Sequence, residues 1–189
     1  MCNYAIFAKN ILQNMAIYKK FLILQQTFDG SNYTSVGSIV DTQAKFRIAC
    51  QEFPFKDLPE IKELPKRDWN DEDGEDVYIP TDGYKFEAYD VDVTFIYVGT
   101  EATMKSDIRK FIDFLHGRKD SNGNSRTGGV MLAIYDEYTQ IGRRGVLVSK
   151  VDNTLYWNVD YDPDAIATFK VKFRVTDPVT RLNSSLNEE

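Results

Sequence analysis

The residues with the clearest chemical potential are carboxylates. Six of them, Asp68, Asp71, Glu72, Asp73, Glu75 and Asp76, fall within nine positions around Trp69 and Gly74. Carboxylates at alternate positions can converge on a hard cation such as calcium. The spacing departs from the EF-hand pattern: with Gly74 at the glycine position, Trp69 occupies the first ligand position, where a carboxylate is required. Asp160, Asp162 and Asp164 repeat the alternation, but Ala165 stands at the glycine position and Val171 at the closing glutamate. Asp71, Asp73, Asp160 and Asp162 are therefore only weak candidate metal ligands, and a solvated acidic loop is the preferred reading.

Other chemistry has less to work with. One histidine, His116, and two cysteines, Cys2 and Cys50, cannot supply the four ligands of a Cys/His zinc site. Two cysteines 48 positions apart form no disulfide framework and suit a reducing compartment. No Gly-x-Ser-x-Gly elbow, phosphate loop or dinucleotide fingerprint occurs, and no acid pair is singled out for glycosidic work. The expectation is a protein without catalytic residues and without a cofactor.

Charge narrows the partners. The 189 residues carry 29 acidic and 23 basic side chains, a formal charge of −6, which argues against a surface that coats phosphate backbones. Between Arg67 and Asp92 stand ten acids and two bases, so this stretch holds more than the whole deficit. It is expected to line a lumen or to meet a basic partner surface. The best early candidate for an apolar run, Phe21 to Leu24, is far too short to span a bilayer, and no membrane or specific nucleic-acid partner is expected.

The elements that must position these residues are mostly strands. A strand is expected over 16–28, closed by the turn Asp29-Gly30-Ser31-Asn32, and another through Ala44, Phe46, Ile48 and Cys50. Pro54, Pro59 and Pro65 then punctuate a long acidic loop, 54–83, with room for at most a helical turn near 58–64 and with strand propensity returning at Val77-Tyr78-Ile79. Two-residue periodicity follows from Tyr84 to Tyr97, its parity switching near Ala88 as at a β-bulge. Ala102, Met104, Ile108, Phe111, Ile112 and Leu115 mark one amphipathic helix at about 102–116, with Gly117 beyond its end. A polar loop, 118–129, is expected to be mobile.

The rest alternates again. Val130 to Tyr135 is apolar throughout, as in a strand covered on both faces. Gly142-Arg143-Arg144-Gly145 reads as a turn and Asp152-Asn153 as a hairpin turn. Phe169, Val171, Phe173 and Val175 alternate with Lys170, Lys172 and Arg174 in a half-buried strand. The sum is mainly β: an antiparallel sandwich or half-open barrel with one helix. A single domain is expected over 15–178. Residues 1–14 read as an extension outside the fold, and 179–189 as a polar, frayed tail.

In order, these features are an early strand region, a loop with Arg67-Asp68 and Asp73-Gly74, a long strand 86–98, the helix, the strand 130–135, a hairpin and the closing strand 165–176. This order resembles the amino-terminal domain of bacteriophage distal tail proteins and, more loosely, the tail-tube and type VI secretion tube fold. The family's Gly-Arg-Asp-Gly loop is only approximated here, and Glu87 or Tyr89 stands where an arginine is common. The resemblance implies a phage or prophage tail component in the virion that forms a homo-oligomeric, typically six-fold ring, whose lumen passes DNA and which joins other tail proteins. It also implies subunit contacts through strand edges and the loops 66–83 and 117–129, with Asp68, Trp69, Asp71, Asp73, Arg118, Arg126, Arg143 and Arg144 as the interface residues. The alternative reading is a calcium-dependent or carbohydrate-binding β-sandwich module.

Overall fold

In the computed structural model, residues 20–71, 73–152, 156–158 and 164–189 are described. Asn153, Asp160, Asp162 and the expected extension 1–14 lie outside them, as do residues 16–19 of the first expected strand. The elements in chain order are β1 (Phe21–Phe28), β2 (Tyr33–Asp41), α1 (Thr42–Phe46), β3 (Ile48–Glu52), β4 (Lys66–Asp68), β5 (Glu75–Val77), β6 (Tyr89–Thr100), α2 (Glu101–Leu115), β7 (Met131–Asp136), β8 (Ile141–Val151), β9 (Tyr156–Asn158) and β10 (Asp164–Val175).

Eight strands form one antiparallel sheet in the order β2-β1-β7-β8-β10-β6-β3, with β9 paired to β10, while β4 and β5 pair apart from it. The sheet curls on itself. Phe21 of β1 and Phe95 of β6 lie four strand steps apart, about 19 Å in a flat sheet, yet their ring centroids are 5.4 Å apart. This is a mainly β fold of half-open form, because the end strands β2 and β3 are joined by α1 and not by a ladder. The helix α2 lays Met104, Ile108, Phe111, Phe114 and Leu115 into the core, where Phe111 meets Phe95 edge-on at 5.2 Å. Such contacts add to the transfer free energy of the buried rings.

Five expectations need correction. The alternation at 44–50 is not one strand: Asp41 caps α1 by accepting from the amides of Gln43 and Ala44 at 3.0 and 3.3 Å, and Arg47, at φ 58°, ends it in the left-handed region. Phe46 and Ile48 therefore reach the core from two different elements. The segment near 58–64 makes no helical turn; Ile61 is bridged to Phe86 instead. The parity switch near Ala88 is no bulge, since β6 pairs with β10 from Tyr89 onward without a register shift. It marks where the chain passes from the acidic loop into the sheet.

The fourth correction concerns Gly142-Arg143-Arg144-Gly145, which lies within β8 and is no turn. The chain reverses before it, at 137–140, where Asp136 accepts from the amide and hydroxyl of Thr139. Gly145 takes φ +65° as the strand bends, and Thr176 closes on its carbonyl.

Fifth, the terminal residues are not frayed. Leu182 and Leu186 are buried against Leu24, Ala133 and Tyr135 on the second face of β1 and β7. Gly142 admits this segment because a Cβ there would strike the Leu182 backbone. Leu182→Ala should therefore lower unfolding free energy by about 2–4 kcal/mol, and removal of 179–189 should lower the melting temperature and expose Tyr135. Urea melts and tyrosine accessibility measure both; an unchanged melt would return these residues to the status of a loose tail.

Candidate assembly interface

The acidic loop is built as an arm. β3 and β6 are antiparallel neighbours, so residues 53–88 are the connection of a single overgrown hairpin, which can lengthen without disturbing the sheet. Its root is fixed by aromatic packing and by a buried cation. Phe53 and Phe55 are buried, and Phe53 packs edge-on to Phe21 at 4.9 Å. The Lys56 carbonyl accepts from Arg143 Nη2 at 3.1 Å and from the Tyr89 hydroxyl at 3.4 Å. Burial raises the Tyr89 phenol above its ordinary range, and the neighbouring guanidinium partly opposes that shift.

Beyond the root the two limbs pair with each other. The Glu87 amide donates to the Glu60 carbonyl at 2.7 Å, Lys62 to Lys85 at 2.8 Å and Tyr78 to Pro65 at 2.9 Å. The β4–β5 hairpin follows, with Lys66, Arg67 and Asp68 opposite Val77, Asp76 and Glu75. Lys66 pairs with Glu75 across it at 3.2 Å, the Arg67 guanidinium sits 3.3 Å over the Trp69 ring, and the Trp69 indole donates to Asp76 at 3.2 Å. A row of prolines, Pro59, Pro65 and Pro80, removes donors from the limbs and limits indiscriminate edge pairing.

What the arm exposes is unusual for one chain in water. Of eleven exposed large apolar or aromatic residues among the described residues, seven lie on it: Leu58, Ile61, Trp69, Val77, Tyr78, Ile79 and Tyr84. Leu58 is 85% exposed. Clustered apolar exposure with a polar rim marks a surface awaiting cover. Of these, only Trp69 was named as an interface residue, although Val77, Tyr78 and Ile79 lie in the expected contact loop 66–83; their signal was an apolar run bracketed by acids and Pro80.

The structure separates the expected interface residues into three places. Asp68, Trp69, Asp71 and Asp73 share the arm's tip, all exposed. Arg118 is exposed and pairs with Asp113 at 3.4 Å, and half-buried Arg126 donates its amide to the Arg118 carbonyl at 2.9 Å. Arg143 is 1% exposed and its guanidinium serves the arm's root. It is therefore an internal anchor in the chain as it stands. Arg144 pairs with Glu188 and lies 5.1 Å over the Tyr33 ring. Among the described residues no three His, Cys, Asp or Glu side chains gather as a metal site would require; Asp71 and Asp73 are exposed at the tip.

Loop 117–129 is firmly held, contrary to the expectation of free movement. Buried Gln25 donates to the Phe114 and Lys119 carbonyls at 2.6 and 2.8 Å, and Ser121 Oγ accepts from the Ser38 amide at 3.0 Å. Asp120 accepts from the amides of Asn122 and Asn124, both at 2.8 Å. The Asn124 amide is the main cause holding its carboxyl below the ordinary range.

The charge expected to line a lumen is partly cancelled within the sheet. Asp90 and Asp92 of β6 face Arg174 and Lys172 of β10 at 3.1 and 3.6 Å. Of the Arg67–Asp92 stretch, the described carboxylates that lack an ion pair are therefore on the arm.

No protein-family model matches the chain, and no functionally curated protein matches it. Among solved structures, the crystal structure of SPP1 Dit (gp 19.1), described as a paradigm of the hub adsorption apparatus in Gram-positive infecting phages, is similar, with a TM-score of 0.49 and 18% identity over 86% of this chain. The chain spans about half, 52%, of that protein's length.

Arg143→Ala removes the donor to the Lys56 carbonyl and should cost about 2 kcal/mol of stability while raising amide exchange at Lys62 and Glu87 more than in β10. Hydrogen-exchange mass spectrometry resolves the two; uniform exchange across the chain would show that Arg143 does not anchor the arm.

Proposed function

We propose that this chain is a structural assembly protein of a phage or prophage tail, of distal tail or tail-tube type, working in the virion without catalytic residues or a cofactor. The observation that carries the reading is the arm: among the described strands β4 and β5 pair only with each other, and seven large apolar or aromatic side chains on the arm are left to water. A protein whose exposed apolar surface sits on a projecting ribbon gains by burying it in a neighbour. The sequence resemblance to distal tail domains adds the kind of assembly, a homo-oligomeric ring, six-fold in that family, joined to other tail proteins and open to DNA along its axis. The proposed role is of the same kind as that described for SPP1 Dit, and it rests on the arm and the element order rather than on that likeness.

The charge is consistent with such a passage. A net −6 chain repels phosphate, so a genome would slide past without adhering. The sheet's end strands β2 and β3 present edges that a ring would pair or cover.

Purified protein should sediment as a concentration-dependent oligomer and show rings in negative stain. A chain with residues 66–77 replaced by a short glycine turn should remain folded and become monomeric. A wild-type chain that stays strictly monomeric at high concentration overturns the proposal.

A further inference from the structure

The helix layer carries a surface of the opposite character to the arm. Between α1, α2 and loop 117–129 lies a hollow of about 410 Å³. Its floor is apolar, from Phe46 and Phe114, and its rim is set with Lys45, Lys110 and Lys119 beside Asp107 and Asp120.

The carboxylates of this rim are already engaged. Asp107 pairs with Lys110 at 3.4 Å and Arg47 at 3.6 Å and accepts from the Tyr97 hydroxyl at 3.1 Å. Asp120 is turned onto the amides of its own loop. The ammonium groups of Lys45 and Lys119, by contrast, are held by neutral acceptors, the Ser121 carbonyl and the Ser125 hydroxyl. Their positions are fixed and their charges are uncompensated.

At the tip of the arm the imbalance is reversed. Asp68, Asp71, Asp73, Glu75 and Asp76 face two bases, of which Lys66 is paired with Glu75 and Arg67 is stacked on Trp69. The tip also presents an aromatic side chain beside its acids, as the hollow presents an apolar floor beside its lysines.

We propose that the tip of the arm docks in the hollow between α1, α2 and loop 117–129 of a second copy of this chain. The inference rests on the assembly reading above and names the receiving surface. Charge complementarity selects a second copy, because the cationic hollow and the anionic tip belong to one sequence. A contact between two different patches of identical chains is heterologous, so it propagates from subunit to subunit and closes when the rotation allows. Ionic attraction speeds the encounter and sets register, and burial of the exposed apolar groups supplies the lasting stabilisation.

The test is a charge exchange read by sedimentation velocity. Lys45→Glu with Lys119→Glu should raise the self-association dissociation constant at least about tenfold, as should Asp71→Lys with Asp73→Lys. The chain carrying all four changes should recover association close to wild type, which a merely structural effect would not produce. Thermal melts check folding, and the milder pair Lys45→Gln with Lys119→Gln, expected to weaken association in the same direction, replaces the first variant if reversal unfolds it. If the lysine variants associate as wild type does while the chain lacking the arm's tip is monomeric, the hollow is not the receptor and the assembly reading survives. If wild type itself is monomeric, both fall.

Discussion

Twelve consecutive cross-strand pairs between β6 and β10, from Tyr89–Val175 to Thr100–Asp164, run without a register shift, and the rest of the molecule is hung on that ladder. On its inner face Val91, Val93, Phe95, Val171 and Phe173 are at most 3% exposed. Phe95 at its centre touches Phe21, Phe111, Phe169 and Phe173, so one ring joins the far strand, the helix and both strands of the ladder. On its outer face the opposite-charge pairs Asp90–Arg174 and Asp92–Lys172 sit directly opposed. Such pairs reinforce the register that the apolar alternation already specifies.

The ladder explains why the arm is possible. With β10 on one side of β6 and β3 on the other, the β3–β6 connection leaves the sheet near its edge and returns to it without crossing a packed face. Its length is therefore free to serve binding. The root is secured by buried Phe53, Phe55 and Arg143, and everything distal to Lys56 can face outward. A buried guanidinium spent on a backbone carbonyl is costly to place, and its use at that point ties the arm to the core.

Much of this was legible in the residues. The alternation of β10 and β6, the three- and four-residue spacing of α2 and the unbroken apolar run of β7 each record which face of a local element is buried, and each element was found where expected. The run Val130 to Tyr135 even required cover on both faces. Its second cover is Leu182 and Leu186, two leucines in a segment whose composition reads as loose, because two apolar positions among polar neighbours carry no period. Arg143 was misplaced for a related reason: an Arg-Arg pair between glycines looks like a turn, while its burial depends on a carbonyl 87 residues away.

The sequence by itself determined the element types and their buried faces, the absence of familiar catalytic spacings and the concentration of carboxylates near Trp69. Those properties follow from side-chain period and composition, which are local. Tertiary structure alone decided the curl that brings Phe21 to Phe95, the cancellation of Asp90 and Asp92 by β10, the projection of the remaining acids on an arm with seven uncovered apolar or aromatic groups, and the cationic hollow beside α2. Each depends on strands distant in sequence meeting in one register, and no local pattern states which segment will supply the partner.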